Sequence, residues 1–234
     1  MNYFIVHAHH ERNSFNAALT HRAQEALGAR GHQVEISDLH QMNFDPVSDR
    51  RNFVTVADAQ FLKQQREEEY ATAHAGFADD VHAEITKMEA CDVLVLQFPL
   101  WWFGMPAILK GWVDRVFASG RVYGGGHWFD NGHFAGRKAM LSITTAASEE
   151  ASTRDGLFGD ILETLAPINY GMLRFIGFDV LPPFVAWSVT RAEAAVRAQF
   201  LDQYVDRLVN VDTTTPIKYP PLSQYDPATL RLTT

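Results

Sequence analysis

Short apolar runs alternate along this chain with longer stretches whose apolar residues recur every three to four positions. Residues 3–8 (YFIVHA) form a brief, partly β-branched run that predicts a buried strand. Phe15, Leu19, Ala23, Ala26 and Leu27 then fall at helical spacing, Gly31 closes the unit, and residues 33–37 (QVEIS) predict a second strand. Residues 39 to about 58 are irregular, with turn signals at Asn43, Pro46 and Ser48, and two polar helical stretches follow near 59–71 and 78–89. Residues 93–98 (VLVLQF) are nearly continuous in apolar side chains, as a strand covered on both faces requires. Pro106 opens a helix whose buried stripe is Ile108, Leu109, Trp112, Val113, Val116 and Phe117. A glycine-rich loop over 119–136 leads to a fourth strand at 139–144 (AMLSIT). Helical patterns near 160–165 and 168–176, a fifth strand near 179–185 carrying Pro182–Pro183, and a last helix marked by Val196, Phe200, Leu201, Tyr204, Val205 and Leu208 complete the pattern.

Five strands alternating with helices predict an α/β fold with a doubly wound, five-stranded parallel sheet and helices on both faces. In such sheets a ligand binds beyond the carboxyl ends of the strands, where strand order reverses. The sequence reads as one domain over residues 1–212 with an extended tail, 213–234, packed on a surface; it shows no internal repeat or low-complexity segment.

Composition narrows the function classes. A net charge of −8 argues against nucleic acid or an anionic membrane as the main partner. The single cysteine, Cys91, supports neither a disulfide framework nor a thiolate metal cage, and reads as a small core residue. The N-terminus lacks a signal-peptide pattern and no apolar run approaches the ~20 residues that span a bilayer, so a soluble, cytoplasmic protein without membrane insertion is expected.

Three segments carry candidate chemistry. After the first strand, residues 9–17 enter a helix whose first N–H groups lack intrahelical partners: a phosphate site, or simple capping by Asn13 or Ser14. Neither G-x-G-x-x-G nor a P-loop motif is present. His7 and His9 would share one face of an extended strand, but no carboxylate or thiol cluster completes a metal site, and none is expected. After the third strand, three consecutive aromatic residues stand between Pro99 and Gly104, a wall suited to a flat cofactor such as an isoalloxazine ring. After the fourth, Thr144 to Ser148 are small or hydroxylated and allow close backbone approach to a ligand.

HERNSFNAAL, ISDLHQMNFDP, QFPLWWFGMPAILKGWVDRVF, YGGGHWFDNGHF, KAMLSITT, GLFGD and RFIGFDVL together resemble the NAD(P)H:quinone oxidoreductases of the DT-diaphorase group, whose fold is flavodoxin-like, from residue 4 to about 210. The resemblance implies a homodimer with active sites at the interface, FAD in each subunit (FMN is the alternative), NAD(P)H as co-substrate, and a two-electron hydride relay to a quinone-like small molecule. It assigns His9, Phe15, Asn16 and Ala17 to the FAD diphosphate and its neighbourhood, and Pro99, Leu100, Trp101, Trp102 and Phe103 to the flavin ring. Thr144, Thr145, Ala146 and Ala147 would face the pyrimidine side and Arg197 the adenine end. Trp102, Phe103, Tyr123, Trp128 and Phe175 would shape the nicotinamide and quinone pocket, several of them from the partner subunit.

The chain departs from the family at Ala146–Ala147, where mammalian-type members have two glycines, and at the flavin-relay Tyr and His, whose positions hold Ser152 and Phe158. Arg154, His127 or bound water is expected to substitute for the relay, or flavin reduction is expected to be slower. The segment after Thr213 is shorter than in the longer members, which leaves the nicotinamide donor open. Azo- or nitro-aromatic reduction, or a regulatory role as an ancillary flavoprotein of a cation-efflux system, are the alternative functions.

Overall fold

The structure, a computed structural model, describes residues 1–233. Its centre is a parallel sheet in which β1 (Asn2–His7), β2 (Gln33–Asp38), β3 (Val93–Pro99), β4 (Lys138–Thr144) and β5 (Asp179–Val180) run in the order β2-β1-β3-β4-β5. A sixth strand, β6 (Phe184–Ala186), also pairs with β4. The single fifth strand expected over 179–185 is therefore two. Pro182 and Pro183 cannot donate to a ladder. The chain pairs with Lys138–Ala139, leaves the sheet at the prolines, and returns opposite Ser142–Thr144.

Strand alternation sorts the core into two layers. Tyr3 and Ile5 of β1 and Val93 and Val95 of β3 pack with α1 (Phe15–Gly28) and the last helix, over Ala194–Val209. Phe4, Val6, Leu94 and Leu96 face the opposite layer. That layer holds α2 (Gln64–His74), α3 (Asp79–Ala90) and α4 (Ala107–Val116). Every residue of β3 is buried, which accounts for its unbroken apolar run. Glu84 of α3 is fully buried beneath the sheet, yet its carboxylate accepts from the Trp112 indole, Ser37 and Lys87, so the charge is paired and hydrogen-bonded.

The first polar helix starts at Gln64 rather than near 59. The buried Glu67 carboxylate accepts the N–H groups of Ala57 and Asp58, and so fixes the preceding chain as a loop. The helical pattern near 160–176 divides into α5 (Ile161–Thr164), α6 (Ala166–Ile168) and a wide π turn over Asn169–Arg174. The helix over Ala194–Val209 is α7. The tail packs on the surface: Ile217 N–H donates to Val180, the Tyr219 ring lies 5.0 Å from that of Tyr170, and Leu222 N–H donates to Asp130. Among the described residues no helix is long and apolar enough to cross a membrane. Cys91 is buried, as its sequence context suggests.

Candidate active site

The chain leaves β1 toward one face of the sheet and β3 toward the other, which opens a crevice at their carboxyl ends. A cleft of about 470 Å³ occupies it, lined from the predicted set by His9, Phe15, Asn16, Pro99, Leu100, Trp101, Thr144, Thr145, Ala146 and Arg197. Three segments spread over residues 9–146 thus converge, with Arg197 beside them.

On the β1 side, Ser14 caps α1 by accepting the Ala17 N–H at 3.2 Å. The N–H groups of Phe15 and Asn16 find no acceptor among the described residues, so the capped helix start still presents two free donors. Ala17 itself has its N–H committed to Ser14, and its side chain lines a separate cavity on the other side of α1. His9 Nδ1 accepts the Glu11 N–H at 3.0 Å, which places a proton of the neutral ring on Nε2. Burial, with His10 beside it, pushes the His9 pKa below the ordinary histidine value and favours that neutral form. The Asn16 side chain, unlike its N–H, is turned into the core. Its amide donates to Thr144 Oγ1 at 2.7 Å and its carbonyl accepts from Gln97 Nε2 at 2.7 Å, a buried polar chain tying α1 to β3 and β4. Gln97 stands inside an apolar strand. A lone amide within an otherwise apolar run was the signal for it.

On the β3 side, Trp101 and Gly104 exchange two backbone hydrogen bonds, of 3.0 and 2.9 Å, across Trp102 and Phe103. Those two residues have φ of +51° and +61°, the left-handed pair that a type I′ turn demands and that Asn or Gly normally supplies. Two aromatic residues in this conformation are strained at a cost of order 1–3 kcal/mol each, which points to a functional constraint. Trp102 is 97% exposed. With Phe103 it lines a side cavity of about 200 Å³, which shares Leu100 and Thr145 with the main cleft. Ala147, Ser152 and Phe158 line that cavity too, so both expected relay positions reach the site.

Neither expected side-chain substitute for the relay does. Arg154 is exposed and paired with Glu163 at 3.0 Å, and His127 is bound to the Asn131 carbonyl beside His133. Tyr123, Trp128 and Phe175 gather with one another, Phe175 lying 5.9 Å from Tyr123 and 6.4 Å from Trp128, but they line neither cavity of their own chain. A larger groove of about 850 Å³ lies between β6 and α7, away from the segments that follow β1 and β3.

The donors suit a flat, polar-edged group bearing phosphate. The N–H groups of Phe15, Asn16, Trp102, Phe103 and Ala146 have no acceptor among the described residues, and aromatic walls stand beside them.

Comparison with known proteins agrees with this geometry. The profile of the flavodoxin-like fold matches residues 1–208. NAD(P)H dehydrogenase (quinone) 1 of Cavia porcellus is 39% identical over 95% of this chain and 81% of its own length. The chain belongs to the flavodoxin-like NAD(P)H:quinone oxidoreductase family. Within the family, ribosyldihydronicotinamide dehydrogenase (quinone) of Mus musculus is 36% identical, over 93% of this chain and 94% of that protein. A Klebsiella pneumoniae structure assigned as a quinone reductase superposes with a TM-score of 0.95 at 34% identity, covering 99% of this chain and 93% of the other.

Proposed function

We propose that this chain is a flavin-dependent NAD(P)H:quinone oxidoreductase that works in the cytoplasm as a homodimer, with each active site completed by the partner subunit. The observation that carries the reading is the ring of unpartnered backbone N–H groups around the cleft, set against the strained Trp101–Gly104 turn. When bound, the flavin supplies the redox chemistry, taking hydride from NAD(P)H and delivering two electrons to the quinone. The chain supplies placement and polarity. The N–H groups of Phe15 and Asn16, with His9 Nε2–H, would hold the diphosphate, and Arg197 would serve the adenine end. Leu100 and Trp101 would line the ring, and the free N–H groups of Trp102, Phe103 and Ala146 would serve its polar edge. The methyls of Ala146 and Ala147 narrow the space at the pyrimidine side.

The dimer reading rests on two features, one exposed and one partly so. Trp102 leaves almost its whole surface uncovered, and the Tyr123–Trp128–Phe175 cluster has no place in its own cleft; a second subunit brings both into one pocket. The family members named above differ in their nicotinamide donors, so NADH, NADPH and ribosyldihydronicotinamide are the three arms of the donor assay. The deciding experiment is the absorbance spectrum of the purified protein, with mass identification of the released flavin as FAD or FMN and titration with each donor. A colourless protein that neither flavin reconstitutes overturns the reading.

A further inference from the structure

We infer that Phe158, packed on Phe103, sets acceptor specificity: this chain prefers flat, uncharged aromatic quinones to polar or charged ones. The inference rests on the quinone reductase reading above and concerns the side cavity that opens from the cleft.

That cavity, about 200 Å³, is walled by Trp102, Phe103, Phe158 and Ile161 and holds no acidic or basic side chain. Apart from the Trp102 indole, its polar side chains are three hydroxyls. Ser152 Oγ donates to the Ser148 carbonyl at 3.0 Å, which commits its proton, and Thr145 Oγ1 accepts the Ala147 N–H at 3.1 Å, which leaves its proton to donate. Thr164 is the third. Arg154, on the same loop, points outward to Glu163. A charged acceptor entering here gives up water and meets no side chain of opposite charge.

The aromatic wall is built rather than incidental. The Phe103 and Phe158 ring centroids are 6.3 Å apart at 54°, so the rings touch and leave no gap for a third ring between them. They form one continuous surface. Phe103 is held by its left-handed turn. Phe158 is held by its N–H bond to the Ala151 carbonyl at 2.9 Å and by the reversal at Gly159, whose φ is +74°. Both rings remain about half exposed, so their contact contributes little to the core and much to the cavity surface.

The test uses the flavin-loaded protein, with Phe158→Leu and Phe158→Tyr variants, and a neutral naphthoquinone against its sulfonate. Steady-state kcat and KM are read together with equilibrium binding to the oxidised protein, followed by quenching of tryptophan fluorescence. Wild type should favour the neutral quinone by about tenfold or more in kcat/KM. Phe158→Leu should raise both KM and Kd for that quinone about three- to tenfold, the range of a lost aromatic contact, with kcat within about twofold. The sulfonate should hardly respond, Phe158→Tyr should restore neutral-quinone binding, and thermal melting should stay unchanged. If Phe158→Leu keeps its flavin but leaves the discrimination unaltered, or weakens both acceptors equally, the inference is overturned and the enzyme assignment stands. A wild-type protein without flavin or quinone turnover overturns the assignment instead.

Discussion

His7 gives the fold a dependence on pH that a single substitution should remove. It ends β1 at 3% exposure, with Nδ1 2.9 Å from Thr20 Oγ1 of α1. Burial pushes its pKa down to about 4; Asp38 opposes the shift, while His9, His21 and His40 add to it. The unfolded chain protonates this residue near the ordinary value of about 6.5. Between those limits the unfolded state binds a proton that the folded state refuses, so stability rises with pH. His7 therefore contributes fully above about pH 6.5, and its contribution declines as pH falls toward about 4. The whole window corresponds to about 3 kcal/mol, of which about 1.4 kcal/mol is lost by about pH 5.5. His7→Gln keeps an amide near Thr20 but does not titrate. Urea unfolding of both proteins at about pH 7.5 and about pH 5.5 gives a double difference in which the other nine histidines and the carboxylates cancel. Wild type should lose about 1.4 kcal/mol more than the variant over this interval. If both proteins lose the same amount, the buried, neutral His7 is wrong.

Other expectations follow from single contacts. Asn16→Leu should lower stability by about 2–4 kcal/mol, because it strands Gln97 and Thr144 in the core, and should weaken flavin retention; calorimetry and flavin titration check both. Phe103→Gly should do the reverse, raising the melting temperature by relieving about 1 kcal/mol of backbone strain while lowering quinone turnover. Cys91, whose thiol burial pushes to about 12, should resist a thiol-specific reagent in the native protein at neutral pH and react once urea unfolds the chain.

The sheet was legible because its strands are covered on both faces and carry dense apolar runs, β3 above all. Its one miscount came from Pro182–Pro183, where hydrophobic continuity outran the hydrogen-bonding capacity of the backbone. The cleft was legible to the extent that its members follow strands in sequence. His9, Pro99–Trp101 and Thr144–Ala146 all stand at carboxyl ends, and topology alone brings them together. What the chain does with side chains once they meet was not legible. The resemblance assigns Asn16 to the phosphate neighbourhood, but nothing in the sequence shows that its side chain is taken up by Gln97 and Thr144. Arg154 and His127 lie close to the site in sequence, but their local partners Glu163 and Asn131 turn them elsewhere.

The Gln97–Asn16–Thr144 chain joins positions 81 and 128 residues apart, so its closure waits until α1, β3 and β4 have all docked. A nascent or unfolded chain consequently offers the flavin nothing to grip, and cofactor capture becomes a report that folding is complete. Mass action makes the relation mutual: free flavin at about a hundred times its Kd adds about 2.7 kcal/mol to the native state. Free flavin should then lengthen the time each molecule escapes proteolysis, so the abundance of this enzyme should follow the flavin level even at constant synthesis.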